Sequence, residues 1–154
     1  DSTDLDVQMV DVDKVAGTKH LYFAVLNAVH AFKRGTNISR SLAMEFLLYV
    51  SAQKQISEAI KVMGVGPKTR NVVIVAVGKN EHSITEFASR LPVLGVESDE
   101  RLLDQWDDKK VSKLLSLFKI SDKELDAMRG KRASREQAIQ KLILERMALL
   151  STVG

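Results

Sequence analysis

A chain of 154 residues, 45% apolar and 28% charged, has the size and make-up of one domain with its own core. It contains no cysteine, which excludes a disulfide framework, a thiolate nucleophile and a cysteine-ligated zinc site. The net charge of +3 is unevenly laid along the chain. Stretches 1–32, 33–70, 71–127 and 128–154 carry −3, +5, −3 and +4, a pattern that suits a polyanion-facing surface beside an acidic one.

The acidic start DSTDLDVQ lacks the form of a signal peptide, and the longest apolar runs, Val72–Val77 and Phe46–Val50, are too short to span a bilayer. A cytoplasmic, non-membrane protein is therefore expected. Leu5, Val7 and Met9 alternate with Asp6 and Gln8, which predicts a half-buried strand on the Leu5–Val7–Met9 face. The stretch from His20 to Phe32 reads as a buried helix closed by Lys33-Arg34-Gly35. Ser39 is the expected N-cap of a helix over 40–52, and 53–63 either continues it or restarts after a bend. Gly64-Val65-Gly66-Pro67 stops that segment, and the β-branched run 71–78 predicts a central strand covered on both faces.

Three capping boxes are legible: Ser83 with Glu86, Ser121 with Glu124, and Ser134 with Gln137. They predict helices near 84–90, near 122–127 and from about 135. A short strand is expected within 91–96, at an edge because of Pro92. Ser98 would cap a helix through Leu103, and Val111, Leu114, Leu115 and Phe118 have amphipathic helical spacing. The last segment, apolar at Ala138, Ile139, Leu142, Ile143 and Met147, continues as helix to Leu150 or passes into a strand over 148–153. Together these elements predict a single α+β domain, a small mixed β-sheet packed with several α-helices.

No catalytic constellation emerges. The sequence Gly64-Val-Gly-Pro-Lys68-Thr69 resembles a phosphate loop, but the order is helix–loop–strand, which aims no helix N-terminus at a phosphate. His20, His30 and His82 lack metal-ligand spacing, and His20 and His30 are expected to be partly buried and hydrogen-bonded. No serine stands in Gly-x-Ser-x-Gly. The adjacent acids Asp99-Glu100 and Asp107-Asp108 read as solvated faces. No cofactor is called for.

Glu45 is the one charge in the run Leu42–Val50. Its helical neighbours Ser41, Leu42, Leu48 and Tyr49 make a poor active site, so a structural carboxylate is expected, holding the Gln53–Gln55 segment or a nearby loop. Lys54, Glu58 and Lys61 share one helical face, and Lys68 and Arg70 follow in an exposed turn. Lys54, Lys61, Lys68 and Arg70 are the leading candidates for phosphate contacts with a nucleic acid, with Arg34 and Arg40 behind them. With 5% aromatic residues and no familiar RNA motif, base stacking has no support in the sequence.

The stretch Gly35-Thr36-Asn37-Ile38-Ser39-Arg40-Ser41-Leu42-Ala43-Met44-Glu45-Phe46-Leu47-Leu48-Tyr49-Val50-Ser51-Ala52-Gln53-Lys54-Gln55-Ile56-Ser57-Glu58-Ala59-Ile60 resembles the CGI-type subunit of the KEOPS/EKC complex, the PRPK-binding protein family. That family carries a helix with a glutamate between hydrophobic residues, then a Ser-Gly-Gln-Arg-Gln-Ile-like run, a Gly turn and an apolar strand. A weaker match lies in Leu144–Leu150. Ala52 stands where glycine is usual, and Lys54 replaces the usual arginine, keeping the charge without the planar fork of donors.

The resemblance implies a non-catalytic subunit of the machinery that places threonylcarbamoyl on the adenosine next to the anticodon of tRNAs reading ANN codons. It implies direct docking on the PRPK-like KEOPS kinase/ATPase, an indirect link through that kinase to the Kae-type transferase, and binding of the tRNA CCA end. Kinase docking is expected on exposed apolar residues of the first and last helices. The competing expectations are a stand-alone nucleic-acid-binding regulator and, behind it, a small-molecule enzyme centred on Glu45.

Overall fold

The structure, a computed structural model, describes residues 4–95 and 99–152. The chain opens with β1 (Leu5–Asp11), which pairs antiparallel with β2 (Val72–Gly78), Leu5 opposite Gly78 and Asp11 opposite Val72. The α+β class follows, and among the described residues the sheet is antiparallel and two-stranded rather than mixed. Among the described residues β2 has one neighbour, so it is not a central strand, and Val72 is exposed.

β1 also presents the face opposite to the one its pattern predicts. Val10 enters the core, while Val7 and Met9 face outward. The reason is polar: Asp6 accepts the N–H of Ala43 and Gln8 donates to the Ala43 carbonyl, which ties the even-numbered face to the helix above it.

That helix belongs to a layer of α1 (Thr18–Arg34), α2 (Leu42–Ser51) and α8 (Arg135–Thr152), with α2 packed between β1, α1, α8 and α3 (Ile56–Met63). Phe46 through Val50 are all buried, so α2 has no solvent face over these residues and forms the centre of the core. α8 supplies Ala138, Ile139, Leu142, Ile143 and Met147 from one face and stays helical to Thr152, so no strand forms over its last described turn. Gly17 is the N-cap of α1; its φ of 89° favours glycine, and an added Cβ would lie 2.6 Å from the Asp104 carboxylate. Asp104 supplies the cap from a distance, accepting the Thr18 N–H and Oγ1–H at 3.1 and 2.8 Å.

α2 and α3 are separate helices. Ala52 adopts the left-handed region (φ 53°, ψ 39°), and the N–H groups of Ala52 and Gln53 close back on Tyr49 and Leu48. The N-cap of α2 is Ser41, which accepts from the Met44 N–H, and not Ser39, whose side chain is engaged elsewhere. α4 (Glu81–Arg90) starts one turn earlier than its expected box, because Asn80 caps it; Ser83 lies in the first turn and Glu86 pairs with Arg90.

Pro92–Leu94 forms a 3₁₀ turn instead of a strand, with Gly95 left-handed after it. Ser98 lies outside the described residues, and the helix it would start is the short α5 (Arg101–Asp104). α6 (Asp108–Leu117) carries the amphipathic stripe, and α7 (Asp122–Arg129) has the complete Ser121–Glu124 capping box. Ser134 and Gln137 exchange the same reciprocal bonds at the start of α8. No helix among the described residues is long and apolar enough to cross a membrane.

Candidate nucleic-acid interface

Glu45 is 1% exposed, and both of its carboxylate oxygens are engaged. It accepts the Ile38 N–H on both oxygens at 3.1 Å, the Ser39 N–H at 2.8 Å and the Ser39 hydroxyl at 2.7 Å. The carboxylate therefore ties down the loop that precedes α2, on the opposite side from the Gln53–Gln55 segment. Charge-assisted bonds of this kind offset the desolvation of a buried carboxylate.

The six basic candidates are all exposed, but they do not form one patch. Lys54 lies in the turn between α2 and α3, and Lys61 lies on α3 in an exposed pair with Glu58 at 3.1 Å. Arg34 sits in the last turn of α1 and Arg40 in the loop held by Glu45. Lys68 and Arg70 lie in the loop between α3 and β2, and there the structure adds partners that the sequence did not indicate.

This loop is anchored along its length. Lys14 donates to the Gly64 carbonyl at 2.9 Å, Thr69 donates to buried Asp11 at 3.0 Å, and the Val12 N–H reaches the Asn71 carbonyl at 3.1 Å. It forms one wall of an open cleft of about 850 Å³. The facing wall is the end of α5 and the first turns of α6, with Trp106, Lys109, Lys110 and Lys113. Five cations thus line the cleft against two carboxylates, Asp13 and Asp107.

Lys110 is 4% exposed, donates to the Leu103 carbonyl at 3.0 Å and stands 5.7 Å from the centre of the Trp106 ring. Burial lowers its pKa from the usual lysine value, and the charges of Asp13, Asp104, Asp107 and Asp11 oppose that shift. Buried and bonded to the Leu103 carbonyl, it acts as a support for the cleft wall. Lys68, Arg70, Lys109 and Lys113 make no ion pair among the described residues and present free charge.

Sequence reasoning missed Trp106, Lys109 and Lys113 because 71–127 is net acidic as a block. The local run Trp106-Asp107-Asp108-Lys109-Lys110 with Lys113 one turn on was the available signal.

The histidines separate sharply. His20 is fully buried, accepting the Ala16 N–H on Nδ1 and donating from Nε2 to the Val50 carbonyl. His30 is exposed, against the expectation of partial burial, and His82 is an exposed neighbour of Glu86. Among the described residues no group of His, Asp and Glu is placed to hold a metal ion. The adjacent acids have structural partners: Asp107 caps α6, Asp108 pairs with Arg135 and Asp99 with Arg101.

The family described as "Kinase binding protein CGI-121" matches residues 1–151. The chain belongs to the CGI-121 family. Among similar proteins, the "Regulatory protein Cgi121" of Methanocaldococcus jannaschii is 34% identical over 116 residues, 75% of this chain and 72% of that protein. The "EKC/KEOPS complex subunit CGI121" of Yarrowia lipolytica is 25% identical over 114 residues, 74% of this chain and 65% of that one. The "KEOPS complex subunit Cgi121" of Pyrococcus abyssi is 30% identical over 73 residues, 47% of this chain and 43% of that one. The family resemblance read from residues 35–60 is the relationship these matches show. In this CGI-121 protein, the turn where the family pattern has glycine is the left-handed Ala52.

Proposed function

We propose that this chain is a non-catalytic accessory subunit of a KEOPS-type complex that makes threonylcarbamoyladenosine in tRNA. In this reading it works in the cytoplasm, docks directly on the PRPK-like kinase/ATPase, reaches the Kae-type transferase through that kinase, and holds the tRNA acceptor end with its CCA. The observation that carries the reading is membership of the CGI-121 family over nearly the whole chain, together with relatives named as KEOPS subunits. Exposed cations on the α2–α3 side (Lys54, Lys61, Arg34, Arg40) and in the cleft (Lys68, Arg70) supply phosphate contacts that need no base recognition. The Glu58 pair of Lys61 is solvent-exposed and weak enough to yield to a phosphate.

For the kinase, the exposed Tyr22 and Phe23 at the start of α1, stacked edge-to-face at 5.4 Å, are an aromatic anchor of the kind that dominates protein interfaces. The test is co-purification with the kinase and transferase, and filter binding of tRNA across a salt series. Lys54→Glu with Lys61→Glu should weaken tRNA binding and flatten its dependence on salt by about one unit of slope for each phosphate no longer neutralised. Unchanged affinity at every salt concentration sinks the assignment. Tyr22→Ser with Phe23→Ser should abolish co-purification of the kinase while leaving tRNA binding in place. Sequence-specific duplex binding without tRNA preference would instead mark a stand-alone regulator.

A further inference from the structure

The cleft between the Gly64–Asn71 loop and α6 is larger than a lone phosphate requires. Its volume of about 850 Å³ is that of a site for a small organic ligand. Its chemistry is divided in two: a half-buried indole, Trp106, on one side, and unpaired cations from both walls, Lys68 and Arg70 facing Lys109 and Lys113. An aromatic platform beside converging cations matches a planar base joined to a phosphate.

We propose that this cleft binds a nucleotide, with the base against Trp106 and the phosphate among Lys68, Arg70, Lys109 and Lys113. The grip comes from side chains and not from the helix end, because Asp107 already accepts the Lys110 N–H at 2.7 Å and blocks the start of α6 to an anion. Lys110 is a positioning residue: its bond to Leu103 and its place near the Trp106 ring hold the platform. The three ties on the opposite loop leave only the lysine and arginine side chains to be ordered on binding, which favours affinity.

The inference deepens the RNA reading above and rests on it for RNA as the source of the nucleotide; a free nucleotide has the same chemistry. Trp106 is the chain's sole tryptophan, so its emission reports on the cleft directly. The intact protein is titrated with AMP, with adenosine, and with a short single-stranded oligoribonucleotide. AMP and the oligonucleotide should quench or shift the emission, and adenosine should do so more weakly. Arg70→Glu with Lys113→Glu should weaken AMP binding roughly tenfold, and Trp106→Leu should weaken oligonucleotide filter binding roughly tenfold, with circular dichroism unchanged.

Emission that ignores both ligands at millimolar concentration, or a response that the charge reversals leave intact, overturns the site. The two readings fail separately. Filter-bound tRNA with a silent Trp106 removes the cleft and keeps the RNA surface. AMP quenching without tRNA binding keeps the cleft, makes a free nucleotide its ligand and removes the RNA reading.

Discussion

His20 makes the stability of this protein depend on pH in a calculable way. The ring has no solvent exposure, packs edge-on to Phe118 with centroids 5.6 Å apart, and receives the Ala16 N–H at Nδ1. Protonation would place a second N–H against that donor inside the core. Burial, assisted by the charge of Lys110 and opposed by the bond to Val50, holds the pKa at about 4 against the ordinary 6.5. The unfolded chain therefore takes up a proton below 6.5, and the folded chain only below about 4. The stabilisation is fully present above the unfolded value and is lost as pH falls through the interval between the two.

The whole interval is worth about 3 kcal/mol, of which about 2 kcal/mol has gone by about pH 5. For a domain of this size that corresponds to a fall of roughly 4–8 °C in Tm. Urea unfolding at about pH 7 and about pH 5 should show the loss in the wild type and remove about 2 kcal/mol of it in His20→Gln, whose amide does not titrate. Equal pH dependence in the two proteins refutes the reasoning. So does an NMR titration in which the folded His20 ring changes charge near the ordinary histidine value.

Two further outcomes test the local chemistry around α2. Glu45→Gln turns an amide N–H₂ toward the donors of Ile38 and Ser39, and should cost about 2–4 kcal/mol in denaturant unfolding while tRNA affinity of the folded protein is retained. Normal stability with lost RNA binding would move Glu45 to the functional surface. Ala52→Gly relieves the left-handed strain at φ 53° and should stabilise the protein by about 0.5–1 kcal/mol, after the removed methyl packing and the freer unfolded chain are set against the gain. A destabilised glycine variant would show that packing at Ala52 outweighs its backbone conformation.

Much of the fold was legible because its signals are local. The apolar spacing of α8, the Ser121–Glu124 and Ser134–Gln137 boxes, and the Gly35 end of α1 each report on a few adjacent residues, and the structure keeps them. The same holds for the family, whose mark lies in the continuous run from Gly35 to Ile60. Where expectation and structure part, the deciding partner is mostly distant: Asp6 and Gln8 reach α2 and turn Val7 and Met9 outward, and among the described residues β2 lacks the second neighbour its composition suggested. Asn80 is the local case, displacing Ser83 as a cap from three residues away. The carboxylate of Glu45 could be recognised as structural from its apolar neighbours, but which loop it holds depends on where Ile38 and Ser39 return.

The basic surface divides along the same line. Sequence alone identified the exposed cations of 33–70 and the absence of a catalytic pattern, because charge and motif spacing are properties of the chain. Only the tertiary structure brought the Lys68–Arg70 loop opposite Trp106, Lys109 and Lys113. The two walls lie some forty positions apart, one in the basic stretch 33–70 and the other in the net-acidic stretch 71–127, and a cleft is made by what faces across it.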